Sequence, residues 1–533
     1  AVSAPHTASS SLIIRSDSAN NLGYRGQGQT VAVLDTGVNR THPDLNGKIV
    51  SEACYSTTNA GSQSTTLCPN GSSSQTGTGA ANPPANFVAG YDHGTHVAGI
   101  VAGVAPQANI IAIQVFSRYS DVAGSPFSFQ TPCANSGRPS PCTFSYASDQ
   151  ILGLQRVYAL RNSYNIAAVN MSLGGGAYSS SCDSLNAALT TSILSLRNVG
   201  IATVISAGNN GYRGNISSPA CISYAISVGA TTSTPGPMTP NLVPDYSNAA
   251  NIMTMFAPGG LINSAVPTWA TNCGPGIAPI SSRCYKQGTS MAAPHVAGAL
   301  AVMRSAAPAA TVSQMINAFT STGPLITDSR PGGSVTKRRL DVYSATCQLI
   351  GCDQDDYRTF VLGQTLVGTV GVGSDYTDVY YFNGTANQRL RLNMIRLSGT
   401  LDPFLILADP YGNLVAVNDN GGGGTNALID PVFLPYTGRY TIYANSQFGS
   451  GGYQLTVSTG TYLSNPVPTL LSLNRTSATI NSPAGFWVGI TGNNFLPSSV
   501  VRWNGSNRPT SYSSSTFIWG WVYPSDMTAL GTN

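Results

Sequence analysis

Ser290 is the side chain whose surroundings best suit a nucleophile. It stands in Gly288-Thr289-Ser290-Met291-Ala292-Ala293-Pro294-His295-Val296-Ala297-Gly298, where a flexible Gly-Thr-Ser leads into an alanine-rich run that favours a helix. Pro294 is expected near the first turn of that helix, where a missing N–H does least harm, so Ser290 falls at or beside its amino end. The backbone dipole there favours developing negative charge. A hydroxyl attacks only if a base takes its proton, a further group orients the base, and a donor receives the charge that forms. Candidates for these parts lie far off in the chain: His93 in Asp92-His93-Gly94-Thr95-His96, Asp35 in Val33-Leu34-Asp35-Thr36-Gly37, and Asn209 in Ser206-Ala207-Gly208-Asn209-Asn210. Each has a plain structural reading too: Ser290 as a helix cap, His93 as a core histidine, Asp35 and Asn209 as turn residues. A metal held by His93 and His96 lacks a carboxylate or cysteine companion, and the zinc signature His-Glu-x-x-His is absent.

Positioning such distant groups requires a framework. Apolar runs at 31–34 and 108–115, with those that begin 167–176 and 201–210 and open into glycine, read as buried parallel strands. Between them, 93–103, 148–161 and 183–197 carry helical patterns, and alternating strand and helix marks an α/β sheet. Asp35 ends its strand, at the carboxyl edge where open parallel sheets place functional groups. Residues 51–87, rich in Ser, Thr, Asn and Gly, are expected to form a long surface excursion, and 118–143 an insertion. From 353 to 459, short alternating runs bounded by glycine and proline predict an all-β sandwich. Asn465-Pro466-Val467-Pro468 then reads as a linker.

Only 9% of the 533 residues are charged and the formal net charge is +4, so neither nucleic acid nor an anionic membrane is indicated as a partner. No run of about 20 apolar residues suggests a membrane span. The ten cysteines fall as neighbouring couples, 54 with 68, 133 with 142, 182 with 221, 273 with 284 and 347 with 352. They read as disulfides of an oxidising compartment, although spacing cannot fix the pairing. The opening Ala1-Val2-Ser3-Ala4 has no start methionine or targeting segment, which reads as a mature secreted protein.

The segments around Asp35, His93, Asn209 and Ser290 together resemble the subtilisin-like serine proteases. Asp35-Thr36-Gly37 with His42-Pro43-Asp44-Leu45, then Asp92 to Gly103, Ser206 to Asn209 and Gly288 to Ala292, match that family's motifs in its order Asp, His, Ser. The resemblance implies a subtilisin-like, mostly parallel sheet flanked by helices in residues 1–350. It implies that Ser290 attacks, His93 acts as base, Asp35 orients it and Asn209 stabilises the oxyanion, with no organic cofactor. It implies that Ser172, Leu173 and Gly174 form one wall of a substrate cleft and Ser206, Ala207, Gly208 and Ser217 another. No acidic residue stands in the 206–210 or 217–220 segments, so apolar or aromatic side chains are expected before the cut bond. Asp44 matches an aspartate that binds calcium in several relatives, although the usual loop is not recognisable. Sedolisins carry glutamate and aspartate where His93 and Asn209 stand, and kexin-like proteases carry aspartate at the Asn209 position.

Residues 353–459 resemble the bacterial pre-peptidase C-terminal domain, and 466–533 a partial immunoglobulin-like domain of the IPT/TIG kind. A secreted monomer acting on proteins or peptides is the expectation. The rival is a noncatalytic adhesin or binding protein that retains the protease fold.

Overall fold

The computed structural model describes residues 8–528 apart from 84–89, 126, 233–241, 271–281, 353–357, 372–376, 411–412, 460–467, 480–481, 483 and 496–498. Eight strands form its main sheet: β1 (Thr30–Asp35), β2 (Ile49–Tyr55), β3 (Ser74–Thr76), β4 (Asn109–Gln114), β5 (Ile166–Met171), β6 (Ala202–Ser206), β7 (Ile226–Thr231) and β8 (Met255–Pro258). Across the sheet they run β8-β7-β6-β5-β1-β4-β2-β3. Every neighbouring pair is parallel except β2 with β3. All six residues of β1 are buried, which suits the inner strand of a sheet covered on both faces. The chain builds β2 and β4 on one side of β1 and then crosses to β5 on the other. That reversal opens a crevice at the carboxyl ends of β1, β4 and β5.

Four helices matter to the site: α1 (His93–Val104), α2 (Ala147–Leu160), α3 (Ala187–Asn198) and α4 (Thr289–Ala306). Successive β1 residues face opposite cores, as the two-residue period of a strand requires. Val31 and Val33 join Val97, Val101, Val296 and Leu300 of α1 and α4, whereas Ala32 and Leu34 join Leu154, Val157, Ile193 and Leu196 of α2 and α3. The sheet is thus the middle of three layers. Small residues let α1 lie close to its neighbours: a Cβ on Gly99 would sit 2.4 Å from Ser264 Oγ and 2.9 Å from Ala265 Cβ, and one on Gly298 of α4 would sit 2.9 Å from Val104 Cβ.

The region 51–87 is not wholly the surface excursion its composition predicts. β2 runs to Tyr55 with Glu52, Ala53 and Cys54 buried, because it gains a parallel partner in β4, and β3 adds an edge. Disulfides join Cys54 to Cys68, Cys133 to Cys142, Cys182 to Cys221 and Cys347 to Cys352. The expected partner of Cys284, Cys273, lies outside the described residues.

Downstream, a five-stranded sheet, antiparallel but for the short edge strand Arg358–Thr359, and a four-stranded antiparallel sheet, between them spanning 358–459, enclose a core that includes Tyr380, Phe382, Leu392, Leu405, Ile442 and Leu455. Thr469–Leu473, Phe486–Asn493, Thr510–Ser514 and Phe517–Val522 form a further sheet around Val488, Ile490, Ile518 and Val522. Because Gly99 has no room for a side chain, Gly99→Val should destabilise the main domain by about 1–3 kcal/mol. Denaturant unfolding checks this, and an unchanged midpoint would mean that the α1 contact yields freely.

Candidate active site

β1 delivers Asp35 into the crevice fully buried, and α1 begins at His93 directly above it. His93 Nδ1–H donates to Asp35 Oδ1 at 2.7 Å, and the Thr36 N–H donates to the same oxygen at 2.7 Å. Asp35 Oδ2 is buried with no hydrogen-bond partner among the described residues. His93 Nδ1 is engaged by Asp35, which leaves Nε2 as the ring nitrogen available to accept a proton. The approach depends on Gly94: a Cβ there would fall 2.3 Å from the Gly37 carbonyl oxygen, while its N–H donates to Thr36 Oγ1 at 3.0 Å.

Ser290 is the second residue of α4 and is partly exposed, whereas every residue from Met291 to Met303 is buried. Pro294 is the sixth residue of the helix, a turn later than the sequence suggests. It cannot donate to the Ser290 carbonyl four residues back, and the helix would be left with an orphan acceptor. Ser172, just beyond β5, fills the gap: its hydroxyl donates to the Ser290 carbonyl at 2.8 Å and accepts from Asn170 Nδ2 at 3.0 Å. The Ser290 hydroxyl points to the Ser172 carbonyl at 3.4 Å. It is not hydrogen-bonded to His93 in this conformation, although both line one cleft.

Asn209 follows β6 and is exposed. Its Oδ1 accepts from the Thr289 N–H at 2.8 Å and the Thr289 hydroxyl at 2.9 Å, and that hydroxyl accepts from the Gly208 N–H at 3.1 Å. A backbone N–H can only donate, so the amide oxygen is fixed toward Thr289 and the NH2 is left as the free donor. Gly288, at φ 148°, keeps the approach open: a Cβ there would lie 3.2 Å from Asn209 Nδ2. Asn248, which no motif points to, holds the loop from behind. Its Oδ1 accepts from the N–H groups of Asn210 and Tyr212 at 2.9 and 3.0 Å, and its Nδ2 donates to the Ala207 carbonyl at 3.1 Å.

The cleft has a volume of about 1200 Å³ and is lined by His93, Ser290 and Asn209 together with Ser172, Leu173, Gly174, Ser206 and Gly208. Two residues expected on its walls lie behind them. Ala207 and Ser217 are buried, with the Ser217 N–H on the Ala207 carbonyl at 2.8 Å, and Ser218 and Pro219 supply the surface instead. Strand pairing between Gly175–Tyr178 and Ile216–Ser218 turns Ser217 inward. The chain 118–143 also contributes, through Arg138, Pro139, Cys142 and Thr143, which its composition alone did not signal.

Asp44 does not present a free carboxylate to calcium. Arg283 Nε–H and Nη2–H donate to its two oxygens at 3.0 Å each, so a guanidinium already supplies the positive charge there. Among the described residues no group of three or more His, Cys, Asp or Glu is placed to hold a metal ion.

A buried carboxylate on an imidazole, a serine at the mouth of a buried helix and an amide fixed beside it stand together on a mostly parallel α/β sheet, an arrangement that can supply a nucleophile, a base and a hydrogen-bond donor. Comparison with known proteins places the chain more narrowly. The model of the Subtilase family matches residues 26–338, more than half of the chain, and the chain belongs to that family. The bacterial pre-peptidase C-terminal domain matches residues 376–446. Alkaline serine exoprotease A of Vibrio alginolyticus is 30% identical over 400 residues, covering 73% of this chain and 60% of that protein. An extracellular serine proteinase of a Thermus species is 31% identical over 55% of each chain. Subtilisin E of Bacillus subtilis is 29% identical, covering 59% of this chain and 66% of its own. The match thus spans between about half and two thirds of these relatives. A solved protease structure from Pseudoalteromonas arctica gives a TM-score of 0.46 at 25% identity, covering 63% of this chain and 94% of that one.

Two further histidines are neutral parts of the scaffold. His96 Nε2–H lies 3.0 Å from the carbonyls of Ile262 and Cys284, and burial, aided by the Lys286 charge, pushes its pKa down to about 3. His295 bonds the Met291 carbonyl through Nδ1 at 2.8 Å, and burial lowers its pKa to about 4. Unfolded, both would titrate near 6.5. Below that pH the unfolded chain takes up protons that the fold refuses, so each histidine removes stability as pH falls, by about 1.4 kcal/mol per unit. The loss levels off near pH 4 for His295 and near pH 3 for His96. Unfolding free energy measured between pH 7 and 4 should therefore fall less steeply in His295→Gln than in the natural chain, and equal slopes would contradict the assignment.

Proposed function

We propose that the chain is a secreted serine endopeptidase that cuts peptide bonds through Asp35, His93 and Ser290 and an acyl-enzyme. The observation that carries this is the buried Asp35–His93 bond of 2.7 Å opening on the same cleft as Ser290. When substrate enters, the Ser290 hydroxyl turns from the Ser172 carbonyl to His93 Nε2, which takes its proton as Oγ attacks the scissile carbonyl. Asp35 holds the ring and stabilises the imidazolium. The oxyanion is received by Asn209 Nδ2 and a backbone N–H at the start of α4, donors fixed before the reaction begins. His93 then gives its proton to the leaving amine, and water, deprotonated by His93, releases the acyl group.

Among the described residues Cys142–Phe144 pairs with Ser117–Tyr119 on one side only, which supports an extended substrate lying between this edge and the Leu173–Gly176 wall as an added strand. The cleft's acidic lining residue among those described, Asp92, is paired with Lys286 at 2.9 Å. That supports apolar or aromatic residues, rather than lysine or arginine, before the cut. No cofactor takes part in these steps. Separate hydrophobic cores support a division into a catalytic domain to about residue 350, a sandwich over 353–459 and a smaller β domain over 466–533. The serine-proteinase names of the relatives and the pre-peptidase domain favour this reading over a noncatalytic binding protein.

Hydrolysis of unstructured peptides tests it. Ser290→Ala should abolish turnover, and Asn209→Ala should lower kcat by about 10²- to 10³-fold, a magnitude carried over from subtilisin itself. Undiminished kcat in Asn209→Ala would remove that residue from the mechanism, and full activity in Ser290→Ala would remove the mechanism.

A further inference from the structure

Arg138 is a charged residue of the cleft wall that no acidic group neutralises among the described residues. Of the other charged groups lining the cleft, Lys286 and Asp92 pair with each other and His93 pairs with Asp35. Arg138 is exposed; its Nη1–H donates to the Thr143 carbonyl at 3.0 Å and its Cζ lies 5.1 Å from the centre of the Phe144 ring. The neighbouring acid, Asp121, is committed elsewhere, its two oxygens accepting the N–H groups of Cys133 and Ala134 at 2.8 and 3.0 Å. The Arg138 N–H donates to the Cys133 carbonyl at 2.9 Å, and the Cys133–Cys142 disulfide closes the loop. The chain therefore holds a guanidinium in a restrained loop at the margin of the edge strand Cys142–Phe144.

We propose that Arg138 is a specificity-determining residue that selects substrates with an acidic side chain upstream of the cut bond. The proposal rests on the peptidase reading above. A peptide added beside Cys142–Phe144 advances about 3.3 Å per residue, so a few residues carry it from the bond along the strand that Arg138 flanks, and the third to fifth residues before the bond are the positions assigned to the contact. Stacking on Phe144 and the bond to Thr143 leave the other guanidinium N–H groups for a carboxylate, with less freedom to lose than an unrestrained arginine has.

The test is a peptide series in which Glu, Gln or Lys replaces each of the third, fourth and fifth residues before the bond, cleaved by the full chain. The readout is the ratio of kcat/KM for Glu to Gln within each variant, so a general loss of activity cancels. The natural chain should prefer Glu by about 3- to 10-fold at one position, between the weight of an exposed ion pair and that of a charge-assisted bond. That preference should shrink in 1 M salt. Arg138→Gln should bring the ratio to about 1, and Arg138→Glu should favour Lys over Gln at the same position. Neutral peptides cleaved with no Glu preference, or a preference that survives Arg138→Gln, would overturn the proposal and leave the peptidase reading intact. No hydrolysis of any peptide would overturn both.

Discussion

Helix α4 is buried along most of its length, and the site depends on that. From Met291 to Met303 each of its residues is out of water, packed between the sheet and α1. Ser290, at its mouth, is therefore fixed relative to the ends of β5 and β6, which carry Ser172 and Asn209. Four hydrogen bonds lock this corner: the Ser172 hydroxyl to the Ser290 carbonyl, the Thr289 N–H and hydroxyl to Asn209 Oδ1, and the Gly208 N–H to the Thr289 hydroxyl. In the proposed mechanism, groups held this way need no reorganisation when charge develops, which is the main advantage a protein has over water as a medium for such a reaction.

Much of this arrangement was legible in the sequence because the proposed chemistry and the packing use the same residues. Gly94 follows His93 because the turn after Asp35 leaves no space for a side chain, and Gly288 precedes Thr289 because Asn209 lies against it. Motif and close contact thus coincide, and the motif can be read without the fold. β1, β4, β5 and β6 were legible for a similar reason, since strands buried on both faces read as unbroken apolar runs.

What was not legible depends on partners distant in the chain. Pro294 creates an unmet acceptor, but only the fold brings Ser172 to it. Asn248 stabilises the Asn209 loop from a stretch with no motif of its own. Asp44 looks like a calcium ligand until Arg283, 239 residues away, is seen across both its oxygens. Residues 51–55 of β2 read as part of a surface excursion because a strand near a sheet edge, followed by Ser, Thr and Asn, owes its order to pairing rather than to its own composition. The cleft divides along the same line, with the proposed reacting groups on or beside regular elements and the outer walls on loops such as 118–143.

The central claim is that Ser290 is not merely a helix cap but a hydroxyl activated by His93 and Asp35. A fluorophosphonate probe reports this directly, since it reacts with activated serines and spares ordinary ones. Mass spectrometry of the folded chain after exposure should find one adduct, on the peptide containing Ser290, and none once the protein is unfolded beforehand or His93 is replaced by alanine. Folded protein that stays unlabelled at Ser290 would contradict the account.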